Sequence, residues 1–432
     1  MVEWLPIYEL FDFEKGSLQS SKCTQGKYTF VTAAEDWKTH NSFTHDCEAL
    51  IFAMAASGSL GRTHYIKDKF ISSDLCFILT PKEGRKIDLP FYYRVFNFIR
   101  EDIVKKTATG TSKLAINRTS FGNYSLPYFD FDHQLLYREK IDKIASIKES
   151  LAAGFTSQQD YLSQLRQAIL QEAIEGKLTA DWRTKHPVKK GDPNTDAAAL
   201  LEHIKAEKQK LIAEGKLKKE KPLGPIKPEE IPFEVPNGWV WCKLGEIGQG
   251  FQYGSSAKSL KYGTVPVLRM GNIQNGVVNL DDLVFTNNKK EIEKYTLSQG
   301  DLLFNRTNSR QLVGKTAIFL SDQPAIYAGY LVRFQLTVSI CNRYANVVMN
   351  SKFHRKWCDE VKVDALGQSN INATKLRDFR FPLPPFTEQQ AIVERVDRLL
   401  GMVDELQQQV KARQTQAEQL MQSVLREAFE GN

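Results

Sequence analysis

Cysteine is scarce and unpatterned in this chain. Six occur among 432 residues, at Cys23, Cys47, Cys76, Cys242, Cys341 and Cys358, with no CxxC pair. That spacing argues against a disulfide framework or a zinc site built on paired thiolates, and reads as incidental thiols in a reducing compartment. Histidine is equally sparse, with seven scattered residues, no HExxH and no His cluster. No apolar run reaches transmembrane length, and the opening MVEWLPIYEL lacks a basic-then-apolar leader. The expected location is therefore cytoplasmic. Also missing are a G-x-S-x-G elbow and an EF-hand loop. Leu312-Val313-Gly314-Lys315-Thr316 carries the tail of a P-loop, but Ser309 stands where its first glycine belongs. A nucleotide site is rejected on that ground. Leu383-Pro384-Pro385-Phe386 has the outline of the D/N-P-P-Y/F motif of amino-methyltransferases. Leu383 cannot accept a hydrogen bond from a target amine, so no methyl transfer is expected there. The expectation is a non-enzyme with no catalytic residue, metal site or cofactor of its own.

What is present is ample apolar residue and a modest positive charge. Hydrophobic residues make up 42% and aromatic residues 11%, enough for two or three packed domains at this length. The net charge of +7 permits a polyanionic partner without requiring one.

The strongest signal is an internal repeat. An offset of 255 residues lays Ile371–Asn432, 62 positions, onto Ile116–Lys177 without a gap. Matches run from Ile116/Ile371, Asn117/Asn372 and Thr119/Thr374 through Pro127/Pro382, Phe131/Phe386 and Gln134/Gln389. They close with Gln164-Leu165-x-Gln167-x-x-Leu170-x-Glu172-Ala173 against Gln419-Leu420-x-Gln422-x-x-Leu425-x-Glu427-Ala428. Agreement of that length marks a duplicated unit. Each copy ends in a long amphipathic pattern with alternating steps of three and four, interrupted at Arg413 in the second copy and at Lys148 and Gln158 in the first. The second runs through Ile392, Val396, Leu399, Val403, Leu406, Val410, Ala417, Leu420 and Val424; the first through Tyr137, Ile141, Ile144, Leu151, Phe155, Leu162, Leu165 and Ile169. This is a coiled-coil seam. Pro382, Pro384 and Pro385 block helix before the second, and Thr387 with Glu388 suits its start.

The fold class expected is α+β: two β-rich mixed globules joined to two long helices. The boundaries read as 1–126 for the first globule and 127–180 for the first long helix. A charged helix and Pro-rich linker follow over 181–236, then the second globule over 237–381 and the second helix over 382–432. One helix is expected around Phe91 to Lys105, and another from Ala197 to Gly215. The Lys216–Lys221 cluster reads as a solvated linker face. The globules echo one another faintly, in Trp4-x4-Glu9 and Trp241-x4-Glu246, Lys15-Gly16-Ser17 and Tyr253-Gly254-Ser255, Leu50-Ile51-Phe52 and Leu302-Leu303-Phe304, and Leu60-Gly61-Arg62-Thr63 and Val313-Gly314-Lys315-Thr316.

Polar and basic loops supply the candidate binding residues. Asn305, Arg306, Thr307, Asn308 and Arg310 follow a strand and offer donors and acceptors suited to base edges. Arg269, Asn272, Gln368, Ser369, Asn370, Asn372 and Lys375 add to them. In the first globule the candidates are Ser57 in the corresponding loop and Thr111, Ser112, Lys113, Asn117 and Arg118 near Gly110. Arg62 and Lys315 keep a positive charge at one place in both copies, which fits phosphate contact. Any one of these alone reads equally well as an ordinary solvated loop residue.

Three stretches carry a family resemblance over essentially the full length. They are Phe381-Pro-Leu-Pro-Pro-Phe-Thr-Glu-Gln-Gln390, Gln164-Leu-Arg-Gln-Ala-Ile-Leu-Gln-Glu-Ala-Ile-Glu-Gly-Lys-Leu178 and Glu230-Ile-Pro-Phe-Glu-Val-Pro-Asn-Gly-Trp-Val-Trp241. The chain resembles the specificity subunits of Type I restriction-modification enzymes. The resemblance implies two target-recognition domains, each reading half of a split site on double-stranded DNA. It implies two antiparallel helices forming a coiled coil, related by a pseudo-twofold, that hold the domains apart. Two modification (methyltransferase) subunits and restriction subunits are implied as partners, and S-adenosylmethionine, ATP and Mg are implied to belong to those partners. One departure is visible: the entry to the first helix is Leu126-Pro-Tyr-Phe-Asp-Phe131, weaker than its second copy. Two rival classes stay open. One is a coiled-coil adaptor without DNA affinity, separable by a gel shift at low salt; the other is a self-sufficient methyltransferase or nuclease, separable by labelled S-adenosylmethionine.

The paired seam makes a ruler on this reading. Deleting one heptad from each helix, Leu399 to Glu405 with Ile144 to Ser150, preserves the seam's phase and shortens each rod by about 10 Å. Mapping of methylated sites should show the unread spacer reduced by up to about three base pairs, with both half-sites unchanged. An active double deletion that keeps its spacer overturns the ruler.

Overall fold

The computed structural model describes residues 2–56, 58–110, 114–365 and 367–430. The chain divides into two compact units, Met1–Ser157 with Val410–Asn432, and Gln158–Gln409. Each unit holds one globule and segments of the long helices Phe131–Ile174 and Phe386–Glu430.

The β-branched and aromatic runs of each globule form a mixed six-stranded sheet. In the first the order is Phe11–Lys15, Cys76–Pro81, His45–Ala53, Thr63–Ser72, Tyr28–Val31, Lys38–His40. In the second it is Gly248–Tyr253, Leu331–Leu336, Leu302–Asn305, Thr316–Ile318, Val277–Val278, Ile273–Gln274. The first four strands of the two lists correspond and are antiparallel throughout. Leu50, Ile51 and Phe52 are fully buried, as are Leu302, Leu303 and Phe304. The echo between these triplets is therefore a shared core strand.

Each globule is closed by the segment that leads into its long helix. Trp4 pairs with Pro127 between antiparallel strands, and Trp241 pairs with Pro382 in the same way. A tyrosine on a neighbouring short helix caps each junction: Tyr92 Oη donates to Pro127 O at 3.0 Å and Tyr344 Oη to Pro382 O at 2.9 Å. The prolines lack an N–H, so each strand gives up one donor a residue before it ends and the chain turns towards helix. Directly after the turn lies a fully buried glutamine. Gln134 Nε2 donates to Phe129 O (2.7 Å) and Lys86 O (3.1 Å), while its Oε1 accepts from Asp88 N at 2.7 Å. Gln389 Nε2 donates to Pro384 O (3.0 Å) and its Oε1 accepts from Cys341 N at 2.8 Å. Asp88 and Cys341 stand at the N-caps of the short helices Leu89–Phe98 and Asn342–Met349.

Glu388, expected only as a helix-start residue, does more. It is 2% exposed and accepts from Thr179 Oγ1 (2.6 Å), Arg183 Nη1 (2.5 Å) and Trp239 Nε1 (2.7 Å). In the second unit, Ile169, Leu170, Ala173 and Ile174 share one buried cluster with Ile392, Val393, Val396 and Val403. Arg166 pairs with Asp404, and Arg395 with Asp181, so these two helical segments run antiparallel. Other seam positions stay open to solvent: Leu165 and Leu406 in the second unit, and Leu151, Leu420 and Val424 in the first.

Other expectations shift. The helix expected around Phe91 to Lys105 is two, Leu89–Phe98 and Arg100–Thr107, broken at Ile99. The charged helix spans Ala197–Ala213, and its Ala197, Leu200, Leu201 and Ile204 enter the second unit's core, so that segment is no mere linker. Among the described residues no helix is long and apolar enough to cross a membrane.

Two predictions follow from packing. Gln389→Leu or Gln134→Leu strands buried backbone groups, costing about 1–3 kcal/mol for each group left unpaired. Urea unfolding should show a lowered midpoint, and an unchanged midpoint would refute the role given to these amides. His354 is buried among Phe304, Trp357 and Phe379, at centroid distances of 6.0, 5.5 and 5.0 Å. Burial, aided by the Arg355 charge, pushes its pKa down to about 3. Its value in the unfolded chain is about 6.5, so between these limits the unfolded state binds more protons. Stability should thus be complete above about pH 6.5 and fall as pH drops towards 3, by up to about 1.4 kcal/mol per unit from this residue. His354→Phe should flatten that slope in urea unfolding measured from pH 6 to 4.

Candidate nucleic-acid interface

The second globule gathers segments that the sequence places on separate loops. Thr307–Asn308 pairs with Gln368–Asn370, which pairs with Val363–Ala365, forming a small three-stranded antiparallel sheet. Asn370 Nδ2 donates to Thr307 Oγ1 at 2.7 Å, and Ser369 Oγ donates to Asp364. Arg306 lies between the core strand and this sheet. Its N–H donates to Tyr330 O and its carbonyl accepts from Ile371 N, both at 2.9 Å. The guanidinium carbon sits 4.6 Å from the Tyr253 ring centroid, and Nη1 donates to Gly329 O at 3.4 Å. Tyr253 is itself tethered, its Oη accepting from Ala373 N at 3.0 Å.

The second globule holds further candidate cations. Arg310, 76% exposed in its side chain, approaches Asp364 at 3.9 Å. Arg269 Nη2 donates to the Asp282 carbonyl (2.8 Å) and carboxylate (3.1 Å). Exposed pairs of this kind are worth about 0–1 kcal/mol, so a phosphate can displace the carboxylate at little cost. Lys315 Nζ donates to Gln274 Oε1 at 2.9 Å, and Lys375 Nζ to the Val361 carbonyl. Gln368 is exposed.

Several expected contact residues have structural duties instead. Asn305 is fully buried with neither amide atom partnered, so it is withdrawn from base reading. Asn272 is 4% exposed and spends its amide on Asn279 O and Asp281 O, both 3.0 Å away. Ser369 is 1% exposed. Asn117 and Asn372 are matched helix caps, accepting from Ser120 N at 2.8 Å and Lys375 N at 2.9 Å. The cap uses only the side-chain oxygen, and both residues stay exposed. Asn308 likewise accepts from Ser309 N at 2.8 Å. In the first globule, Arg118 donates to Phe13 O at 2.9 Å and covers the Phe13 ring. Arg62 reaches Ser59 Oγ at 3.5 Å and Glu35 at 3.8 Å. Ser57, Thr111, Ser112 and Lys113 lie outside the described residues. Tyr253 and Tyr330, 41% and 48% exposed, were missed, although Tyr253 adjoins the Gly254-Ser255 echo.

Residues 236–413 match the family model described as the Type I restriction modification DNA specificity domain. The chain is 36% identical over 294 residues to the Type I restriction enzyme EcoAI specificity subunit of Escherichia coli, covering 64% of this chain and 46% of that protein. The EcoDI specificity subunit of Escherichia coli is 25% identical over 442 residues, covering 100% of this chain and 88% of that protein. The alignments with EcoAI and with the EcoEI specificity subunit span only about half of those relatives' length, 46% and 47%. Among solved structures, a chain from a study of complex assembly and conformational transition of the type I R-M system matches with TM-score 0.64 at 14% identity, covering 99% of this chain and 97% of that one. The HsdS subunit from Thermoanaerobacter tengcongensis matches with TM-score 0.52 at 15% identity, covering 100% and 97%. The two solved structures speak to the fold alone, while residues 236–413 carry the Type I restriction modification DNA specificity domain and the chain is similar to Type I restriction enzyme specificity subunits.

Proposed function

We propose that this chain is the DNA-reading subunit of a Type I restriction-modification complex, recognising a bipartite duplex site and scaffolding methyltransferase and restriction subunits. The observation that carries the reading is Arg306 clamped over Tyr253 at the edge of a polar sheet, with Arg310 and Gln368 exposed beside it. A guanidinium held in one plane suits bidentate contact with guanine, and Lys315 with Arg269 supplies charge for the phosphates. Two globules on one framework suit a reader of two different half-sites. The chain itself is non-catalytic on this proposal, and S-adenosylmethionine, ATP and Mg are held by its partners.

The purified chain, free of partner subunits, should neither methylate nor cleave DNA; either activity in such a preparation overturns the assignment. Arg306→Ala should weaken specific binding by about 1–3 kcal/mol and relax one base position. Lys315→Ala should weaken all duplexes alike and flatten the salt dependence of the binding constant. Fluorescence-anisotropy titrations over a salt series, with cognate and scrambled duplexes, separate the two effects. An Arg306→Ala chain with unaltered affinity and preference would refute this choice of reading element.

A further inference from the structure

The two globules hang different side chains on one hydrogen-bonded frame. Gly16 N donates to Cys76 O at 2.9 Å, and Gly254 N to Leu331 O at 3.2 Å. Met54 N donates to Leu75 O at 3.0 Å, as Arg306 N does to Tyr330 O at 2.9 Å. Ile116 N donates to Met54 O at 2.8 Å, as Ile371 N does to Arg306 O at 2.9 Å. Gly61 N returns to Ala53 O and Gly314 N to Asn305 O, both at 2.8 Å. In the sheets Lys15 faces Phe77 and Tyr253 faces Val332, the residues following Cys76 and Leu331. These bonds equate Lys15 with Tyr253, Met54 with Arg306 and Leu75 with Tyr330.

The chemistry at the equated places is opposite. The second globule offers a guanidinium braced by one ring and flanked by another exposed tyrosine. The Tyr253 ring at 4.6 Å and the bond from Nη1 to Gly329 O set its plane, while Nε is buried without a partner. A rigid donor fork selects the paired acceptors of guanine, O6 and N7. In the first globule neither the Met54 nor the Leu75 side chain can donate a hydrogen bond. Leu75 is 40% exposed, in a turn where an apolar side chain gains nothing from water. Apolar groups in the major groove select the thymine 5-methyl. Lys15, exposed at the third place, is a compact charge suited to a backbone phosphate.

We infer that Arg306 in the second globule, and Met54 with Leu75 in the first, are specificity-determining positions. Arg306, held by Tyr253 as a positioning residue, reads a guanine in one half-site, and Leu75 with Met54 reads a thymine methyl in the other. The inference rests on the DNA-reading function proposed above.

The test uses the full chain in complex with its methyltransferase partner. Methylated sites are first mapped in cells, and binding is then titrated on duplexes carrying the mapped site. Arg306→Ala and Tyr253→Leu should relax the same guanine, its preference falling about five- to a hundredfold. Tyr253→Phe keeps the ring and should retain that preference. Leu75→Ala should spare that half-site and relax a thymine in the other. Replacing that thymine by deoxyuridine should weaken the wild-type complex about three- to fivefold, and the Leu75→Ala complex little. The inference is overturned if Tyr253→Leu leaves the guanine preference intact, or if the Arg306 and Leu75 variants relax the same half-site. It is overturned equally if deoxyuridine is neutral at every thymine of the second-mapped half-site. A wild-type complex that selects no duplex at all would instead refute the DNA-reading function itself.

Discussion

A buried primary amide at the start of each long helix is the constraint on which the rest depends. Gln134 and Gln389 are both fully buried, and each joins the helix to the carbonyl before it and to the N-cap of a short helix in the globule. A neutral amide is the right group for this place. It can donate and accept at once, where a carboxylate would carry a desolvation cost and an apolar side chain would orphan its partners. Because the amide binds backbone atoms, it fixes geometry without regard to neighbouring side-chain identity. The globule can then change its reading surface while its attachment to the helix stays the same.

That division of labour explains what was legible from the residues. The helices and their junctions could be read because they are local and periodic: prolines, the Gln pair and the three-four seam recur at one fixed offset. The faint echoes between globules were also sound, since Gly61 with Gly314 and Leu50 with Leu302 mark backbone positions where the fold admits few residues. The reading surface was harder. Thr307 and Asn370 meet across 63 residues of sequence, and nothing local to either announces the pairing. Asn117 and Asn372 each commit the side-chain oxygen to a helix cap, a role that needs an acceptor alone and that the residue type does not announce. Asn305 looked exposed because it ends a strand, yet the frame folds over it. The single helix expected near Phe91 was a continuous pattern whose break at Ile99 has no proline or glycine to signal it.

Electrostatics in the second globule is arranged for exchange. Arg310 and Arg269 rest against exposed carboxylates, where each ion pair contributes little and salt weakens it further. Glu388 and Arg183 are the contrasting case. Glu388 is buried, Arg183 is partly so, and Thr179 and Trp239 also donate to the carboxylate, so losing Arg183 leaves a buried charge stranded. Weak pairs lie where an outside anion can compete, and strong ones where the chain must hold its own shape.

The pinned hydrogen bonds also govern where the chain can change length. From Ala53 to Arg62 the first globule spans one residue fewer than the second does from Asn305 to Lys315, yet both segments begin and end on the same pair of backbone bonds. An insertion is absorbed as a bulge between clamps and does not propagate into the core strands. The frame therefore works like a socket: segments of different length and chemistry can be plugged between fixed terminals, one globule at a time. On the DNA-reading function proposed above, a lineage built on it can change one half-site within a single globule, with no second folding problem to solve.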